Sequence, residues 1–224
     1  PHHQSAPQTT SQRQEISTII AVGGAAPCAL TALGSASTVY WLSRENRIHS
    51  VREQMSVVLR QAETVADKMD SMHRDQVFAT DALIEQARLQ AGNRPLKEVY
   101  RSTALYNTIP IVGAWEAAAK SAREQGYDFF TPTKPGIVAR NPRNELGEKY
   151  AAAFAAFDAG AEEFFLQDDE KHELILARPV RLRQSCLTCH GDPALSYTRD
   201  GMDTLGMPME NLRTGDIKGA FVLH

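Results

Sequence analysis

Apolar residues recur at helical spacing over the first third of the chain. Across residues 48–72 they follow one another at intervals of three and four, in the order Ile48, Val51, Met55, Val58, Ala62, Val65, Met69 and Met72. That spacing is typical of the a and d positions of a coiled coil, and a surface helix with a wider apolar stripe is the alternative. The helical pattern continues to Leu89 and stops at Gly92 and Pro95. We therefore predict a long helical stalk over 44–91 that forms a homodimer with a second copy.

An uncharged window precedes this stalk. No Asp, Glu, Lys or Arg occurs in residues 16–43, and about 20 apolar residues are enough to cross a bilayer as a helix. Pro27 and several glycines dilute the hydrophobicity of the window, but membrane helices tolerate them, and Tyr40 and Trp41 resemble an interfacial anchor. We predict a disordered N-terminus over 1–15 and a transmembrane helix over 16–43. A cleaved signal peptide and a buried soluble helix are the alternatives.

The rest of the chain combines helical and strand patterns. Further helices are expected over 96–106, 115–125 and 145–159. Two apolar runs, 163–166 and 172–178, flank a short acidic segment and predict a β-hairpin. A last strand is expected over 219–223, and because the chain stops inside it, we expect a truncated C-terminal end. Residues 92–224 are thus predicted to form an α+β domain with the long helix in front of it.

Composition narrows the classes of function. The chain has 224 residues and a net charge of −3, which does not favour a nucleic-acid partner. It contains three cysteines, of which Cys28 lies far from Cys186 and Cys189. An odd number of cysteines at this spacing does not indicate a disulfide framework.

Cys186 and Cys189 belong to a Cys-x-x-Cys-His sequence that ends at His190. In such a motif the two thiols add to the vinyl groups of a haem, and the adjacent imidazole binds the iron. A redox pair would need a thioredoxin-like context, and a zinc site would need four ligands. We predict one covalent haem c, attached at Cys186 and Cys189, with His190 as the proximal iron ligand.

Three interpretations stay open for the other axial position. We favour His73, which lies on the predicted long helix close to Met69 and Met72. A methionine is the second possibility, either from that helix or from the later group Met202, Met207 and Met209. An open position that binds a gas is the third, and the choice governs the reduction potential.

Arginines are the expected partners of the haem propionates, because a guanidinium matches a carboxylate in charge and shape. Arg178, Arg181 and Arg183 precede the motif, and Arg140 and Arg143 flank an Asn-Pro turn. Aromatic side chains are expected to form the walls around the haem. We single out Trp115, and the other candidates are Tyr106, Tyr127, Phe129 and Phe130.

An ordered set of segments resembles a known family. The segments are Tyr106-Asn107-Thr108-Ile109-Pro110 with Ala114-Trp115, Gly126-Tyr127-Asp128-Phe129, Asn141-Pro142-Arg143-Asn144, Arg178-Pro179-Val180, and Cys186 to His190 followed by Gly191. Over about residues 60–224 the chain resembles the single-haem, PAS-like c-type sensor domains of bacterial chemoreceptors and sensor histidine kinases. The resemblance implies an antiparallel sheet flanked by helices, with the haem as the sensing cofactor.

These features together predict a non-enzymatic sensor of redox state or of a small gas, within a receptor such as a methyl-accepting chemotaxis protein or histidine kinase. Haem attachment of this type takes place outside the bacterial inner membrane, so we place the domain in the periplasm. Arg44, Arg47 and Arg52 follow the uncharged window and by the positive-inside rule favour the cytoplasm instead. The alternative functions are a membrane-tethered monohaem cytochrome, a haem enzyme such as a peroxidase, and a zinc-bound interaction domain.

Overall fold

This computed structural model describes the backbone of residues 10–224 and the side chains of residues 37–224. The chain divides into two compact units between Val51 and Arg52. In the first unit, Trp41 packs edge-on against Tyr40, and the guanidinium of Arg44 lies 5.6 Å from the centre of the indole ring. Both aromatic side chains are largely exposed.

The predicted membrane span lies mostly beyond the side chains that the structure describes. Among the described residues, no helix is long and apolar enough to cross a bilayer. The structure does not describe residues 1–9 of the predicted N-terminal segment or the side chains of residues 16–36. The transmembrane helix over 16–43 therefore stays a prediction.

The long helix predicted over 44–91 is interrupted after Arg74. Helix α1 spans Thr10–Arg74, and helix α2 follows over Thr80–Ala91. Gln76 has a φ of 56°, and the N–H groups of Gln76 and Val77 donate to the carbonyls of His73 and Met72. A left-handed residue with this pair of bonds is the Schellman ending of a helix. Glycine usually holds that position, so Gln76 carries no sequence signal for a helix end.

The strands form one four-stranded antiparallel sheet, which confirms the α+β class. Strands β1 (Phe129–Phe130), β2 (Phe164–Asp168), β3 (Glu173–Arg181) and β4 (Ile217–Leu223) lie in the order β1-β4-β3-β2. The predicted hairpin is confirmed as β2 and β3, in which Phe164 pairs with Ala177 and Asp168 with Glu173. The predicted last strand is confirmed as β4.

The shorter helices differ from the prediction mainly at their ends. They are α3 (Leu96–Val99), α4 (Pro110–Glu124), α5 (Ala151–Asp158) and α6 (Leu187–His190). Helix α4 begins earlier than predicted because Pro110 occupies its first turn, where a missing N–H costs no hydrogen bond. Phe154 and Phe157 of α5 pack in one buried cluster with Ala177 of β3 and Val222 of β4.

Helix α1 buries a stripe of its own residues in the second unit. Met55, Val58, Leu59, Ala62 and Ala66 are at most 1% exposed. Three of them belong to the predicted seam, but Leu59 and Ala66 do not, so the stripe is the wider one of a helix packed on its own domain. The part of the seam at Met55, Val58 and Ala62 is thus already covered, whereas the homodimer itself stays a prediction.

Ion pairs fasten the same helix to the sheet. Arg52 and Ser56 bond to the Glu163 carboxylate, which immediately precedes β2. Arg178 of β3 donates to Glu63 at 2.8 Å. These contacts link the polar border of the buried stripe to β2 and β3.

Strand β4 contains a bulge. Val180 pairs with Gly219 but Arg181 pairs with Ile217, so Lys218 is one extra residue without a partner on β3. A bulge of this kind redirects a side chain. A Cβ on Gly219 would lie 2.6 Å from the Pro132 carbonyl oxygen, and only glycine permits that approach.

We expect Leu59→Ala to lower the free energy of unfolding by about 2–5 kcal/mol, because it leaves a cavity under α1. The same substitution at Leu89, which is 84% exposed in α2, is the control and should change it by less than about 0.5 kcal/mol. Denaturant unfolding of the two variants measures the difference. Equal effects would contradict the packing of α1 on its own domain.

Candidate functional site

The Cys-x-x-Cys-His sequence forms one compact turn after β3. Residues Gln184–Cys186 make a 3₁₀ turn that continues into α6, and both Cys186 and Cys189 are free thiols. The N–H of Gly191 donates to the carbonyl of Leu187 and closes the turn. A Cβ on Gly191 would lie 2.5 Å from that same carbonyl oxygen, so glycine is needed directly after the motif.

His190 has one ring nitrogen committed to a partner. Its Nδ1 lies 2.7 Å from Oε2 of Glu210. Burial lowers the pKa of His190, so the imidazole is neutral at pH 7 and its single proton sits on Nδ1, facing the carboxylate. Nε2 is then the nitrogen with a free lone pair. That is the arrangement of a metal-binding histidine oriented by a carboxylate.

Glu210 lies between two cations. Nζ of Lys218 is 2.7 Å from Oε1 of Glu210, and Nε of Arg140 is 3.3 Å from the same oxygen. Burial disfavours the charged form, but the bonds from His190 and Lys218 and the charge of Arg140 hold the pKa of Glu210 well below its usual range. Glu210 is therefore a carboxylate at neutral pH.

Arg140 joins the motif to the segment that follows it. Its guanidinium donates to Asp203 at 2.5 Å and to the Cys189 carbonyl at 2.6 Å. The Asp203 side chain is 0% exposed, and its other oxygen accepts the N–H groups of Leu205 and Met207. A buried carboxylate needs such a partner, so Arg140 holds α6 and residues 203–210 together.

The Cys189 thiol is protonated in this environment. Burial and the neighbouring Asp203 carboxylate raise its pKa to about 12. A redox-active or metal-binding cysteine instead needs an accessible thiolate. Over the described part of the chain, no group of three or more His, Cys, Asp or Glu side chains is arranged to hold a metal ion.

Cys189 and His190 form part of the wall of a cavity of about 190 Å³ that is open to solvent. Most of the wall is apolar or aromatic, and the residues that supply it include Tyr100, Tyr106, Ile109, Ile111, Val112, Trp115, Val180, Leu205 and Phe221. Its cationic residues are Arg101, Arg140 and Lys218.

Two of the arginines predicted for cofactor binding lie elsewhere. Trp115 lines the cavity, with its ring 6.5 Å from that of Tyr106. Arg178 instead pairs with Glu63 and Glu163, and Arg183 donates to Asp67 at 2.6 Å. The structure thus uses Arg178 and Arg183 to hold α1, and neither belongs to the cavity wall.

The candidate axial ligands also lie away from the cavity wall. His73 Nε2 is 2.6 Å from the Thr108 carbonyl oxygen, so that nitrogen donates to the backbone. Met69 packs its sulfur against Gly113 of α4, next to the cavity-lining Val112. Met209 is buried, and neither it nor Met72, Met202 or Met207 is among the lining residues.

Several residues of the site had no clear signal in the sequence. Glu210 and Lys218 lie in a loop and at a bulge, and neither has a local pattern that ties it to His190. Arg101 follows a short helix and reaches the Arg140 carbonyl at 3.0 Å. Asp203 did carry a signal, because an Asp three residues before Gly206 is typical of a turn.

A comparison with protein-family models matches residues 44–224 to the family described as Tll0287-like. The chain belongs to the Tll0287-like family. The matched range contains the Cys-x-x-Cys-His turn, the cavity wall and Glu210.

No curated protein matches the chain. A solved structure titled as that of the cyanobacterial heme-protein Tll0287 aligns at 18% identity, covering 67% of this chain and 92% of that one, with a TM-score of 0.40.

We expect Arg140→Ala to lower the free energy of unfolding by about 3 kcal/mol, because the Asp203 charge would stay buried without its partner. Arg181→Ala removes an exposed ion pair with Glu162 and should cost about 0–1 kcal/mol. Thermal or denaturant unfolding distinguishes the two. Similar losses in both variants would contradict the role of Arg140 in neutralising Asp203.

Proposed function

We propose that this chain is a periplasmic c-type haem sensor domain of a membrane-bound bacterial signalling receptor, and not an enzyme. The observation that carries the haem assignment is the placement of the His190 imidazole. Its Nδ1 is held by Glu210, and its ring lines a mostly apolar cavity beside Cys189. The family description adds support, because the solved protein Tll0287 is titled a heme-protein.

The residues present fit one haem. Cys186 and Cys189 lie three residues apart in the same short helical segment and offer free thiols for two thioether bonds. His190 offers a lone pair on Nε2, and the apolar wall around Trp115 excludes water from a macrocycle. A bound haem would supply redox chemistry and a site for a small gas.

Polar residues at the cavity wall fit the propionates. Arg101 lines the cavity and bonds only to the Tyr100 hydroxyl and the Arg140 carbonyl among the described contacts, so its charge faces no carboxylate there. Lys218 also lines the cavity but is already paired with Glu210. We therefore assign the propionate contact to Arg101 in place of Arg178 and Arg183.

Exported with a haem-attachment system, the protein should be coloured and should keep its haem after denaturation. Cys186→Ser and Cys189→Ser should each remove one thioether bond, and the double variant should lose covalent haem entirely. Cys28→Ser changes the third cysteine and is the matched control, which should leave attachment intact. Mass spectrometry and the pyridine haemochrome spectrum measure the result.

A colourless protein with one bound zinc would contradict the haem assignment and favour the interaction-domain alternative. Spectra of the ferric and ferrous protein, with and without carbon monoxide, report the second axial position. A His73→Ala variant with an unchanged spectrum would remove His73 as that ligand. Such a spectrum would leave a methionine or an open position.

The sensory role is supported by direct bonds between α1 and the segment that leads into the motif. The Ser185 hydroxyl, one residue before Cys186, bonds to the Asp70 carboxylate, which is 3% exposed. Arg183 donates to Asp67 one turn earlier on α1. A change in the Cys186–His190 turn can therefore be passed to α1, the helix that continues toward the N-terminal segment. In an inner-membrane homodimer, such helices would carry the signal onward.

We expect the C-terminal turns of α1 to exchange amide hydrogens at different rates in the ferric and ferrous protein. Ser185→Ala should reduce that difference, because it removes the bond to Asp70. Ser121→Ala, in α4, is the control and should not. Hydrogen exchange read by mass spectrometry makes the measurement. Identical exchange in both redox states would instead favour the electron-carrying cytochrome.

A further inference from the structure

Glu210 is the one carboxylate in direct contact with the motif histidine among the described side chains. We infer that Glu210 is a positioning residue that orients His190 and strengthens its donation to the haem iron. This inference rests on the proposed haem function and deepens it. It concerns a residue twenty positions beyond the motif, outside the set that the sequence indicated.

The geometry leaves the imidazole little freedom. With Nδ1 2.7 Å from Glu210 Oε2, the ring proton is fixed on that side and Nε2 is directed away from it. The His190 carbonyl accepts the Leu212 N–H at 2.9 Å, which holds the backbone of the residue as well. A histidine that donates to a carboxylate is a stronger electron donor than one that donates to a neutral carbonyl.

The carboxylate is itself held in place and partly neutralised. Lys218, the extra residue of the β4 bulge, lies 2.7 Å from Glu210 Oε1, while His190 contacts the other oxygen. Arg140 approaches both oxygens of Glu210, but its guanidinium is shared with Asp203. The two cations therefore withdraw charge from the bond to His190. Lys218 has Glu210 as its carboxylate partner.

A structural role for Glu210 is the competing interpretation. In that case it would only fasten the loop to β4 through Lys218, and its contact with His190 would have no effect on the iron. Both interpretations predict a loss of stability when Glu210 is replaced. They differ in the strength of the iron–histidine bond, which only the positioning role changes.

The test uses the haem-loaded protein and three variants. Glu210→Gln keeps the shape but removes the charge, so the iron–histidine stretching frequency should fall and the reduction potential should rise. Lys218→Gln removes the competing cation and should raise that frequency. Glu162→Gln removes the same charge from an exposed pair with Arg181 and should leave the frequency unchanged. Resonance Raman spectra after photolysis of the carbon monoxide complex, and redox titration, give the readouts.

Opposite shifts in the first two variants support the inference. Unchanged frequencies in a haem-bearing Glu210→Gln protein overturn it and leave the proposed function standing. A wild-type protein without covalent haem overturns both. Where Glu210→Gln fails to fold, Lys218→Gln keeps the His190–Glu210 contact and decides the matter alone, because an unchanged frequency there also overturns the inference.

Discussion

The arrangement of the site depends on the charge balance around Arg140. Asp203 is completely buried, and a carboxylate in that position is tolerated only when a cation compensates it. Arg140 provides that compensation and with the same guanidinium bonds to the Cys189 carbonyl and to Glu210. The position of the motif relative to Glu210 therefore follows from neutralising one buried charge. Lys218 completes the balance from the bulge in β4.

Helix α1 has two roles, one in the core of its unit and one in bonding to the segment before Cys186. Its apolar stripe contributes to the core of its own unit, and its acidic residues Asp67 and Asp70 bond to the segment that leads into Cys186. A helix with a core-facing stripe and polar edges can do both, because residues at the border of the stripe face the domain while staying hydrated. The helix is thus connected by polar bonds to the segment that precedes the motif.

Much of the secondary structure was predictable from the sequence. The β2–β3 hairpin was predictable because two apolar runs flank an acidic turn, and β4 because of its continuous apolar run. The end of α1 was not predictable, because Gln76 adopts a left-handed conformation that glycine normally supplies. The apolar spacing of α1 left two interpretations open, because intervals of three and four suit either a partner helix or the helix's own domain. The burial of Met55, Val58 and Ala62 shows that their own unit covers that part of the predicted seam.

The local sequence was sufficient to place Cys186, Cys189 and His190 together, because residues at that spacing lie within about one helical turn. It also indicated Trp115, which does line the cavity. It could not select among the arginines, because which guanidinium reaches the cavity depends on where distant carboxylates lie: Glu63 and Asp67 on α1 engage Arg178 and Arg183. Glu210 meets His190 only after the loop folds back across the motif. Charge pairs between residues far apart in the sequence leave no periodic pattern in it. Only the tertiary structure therefore decides which of these residues meet.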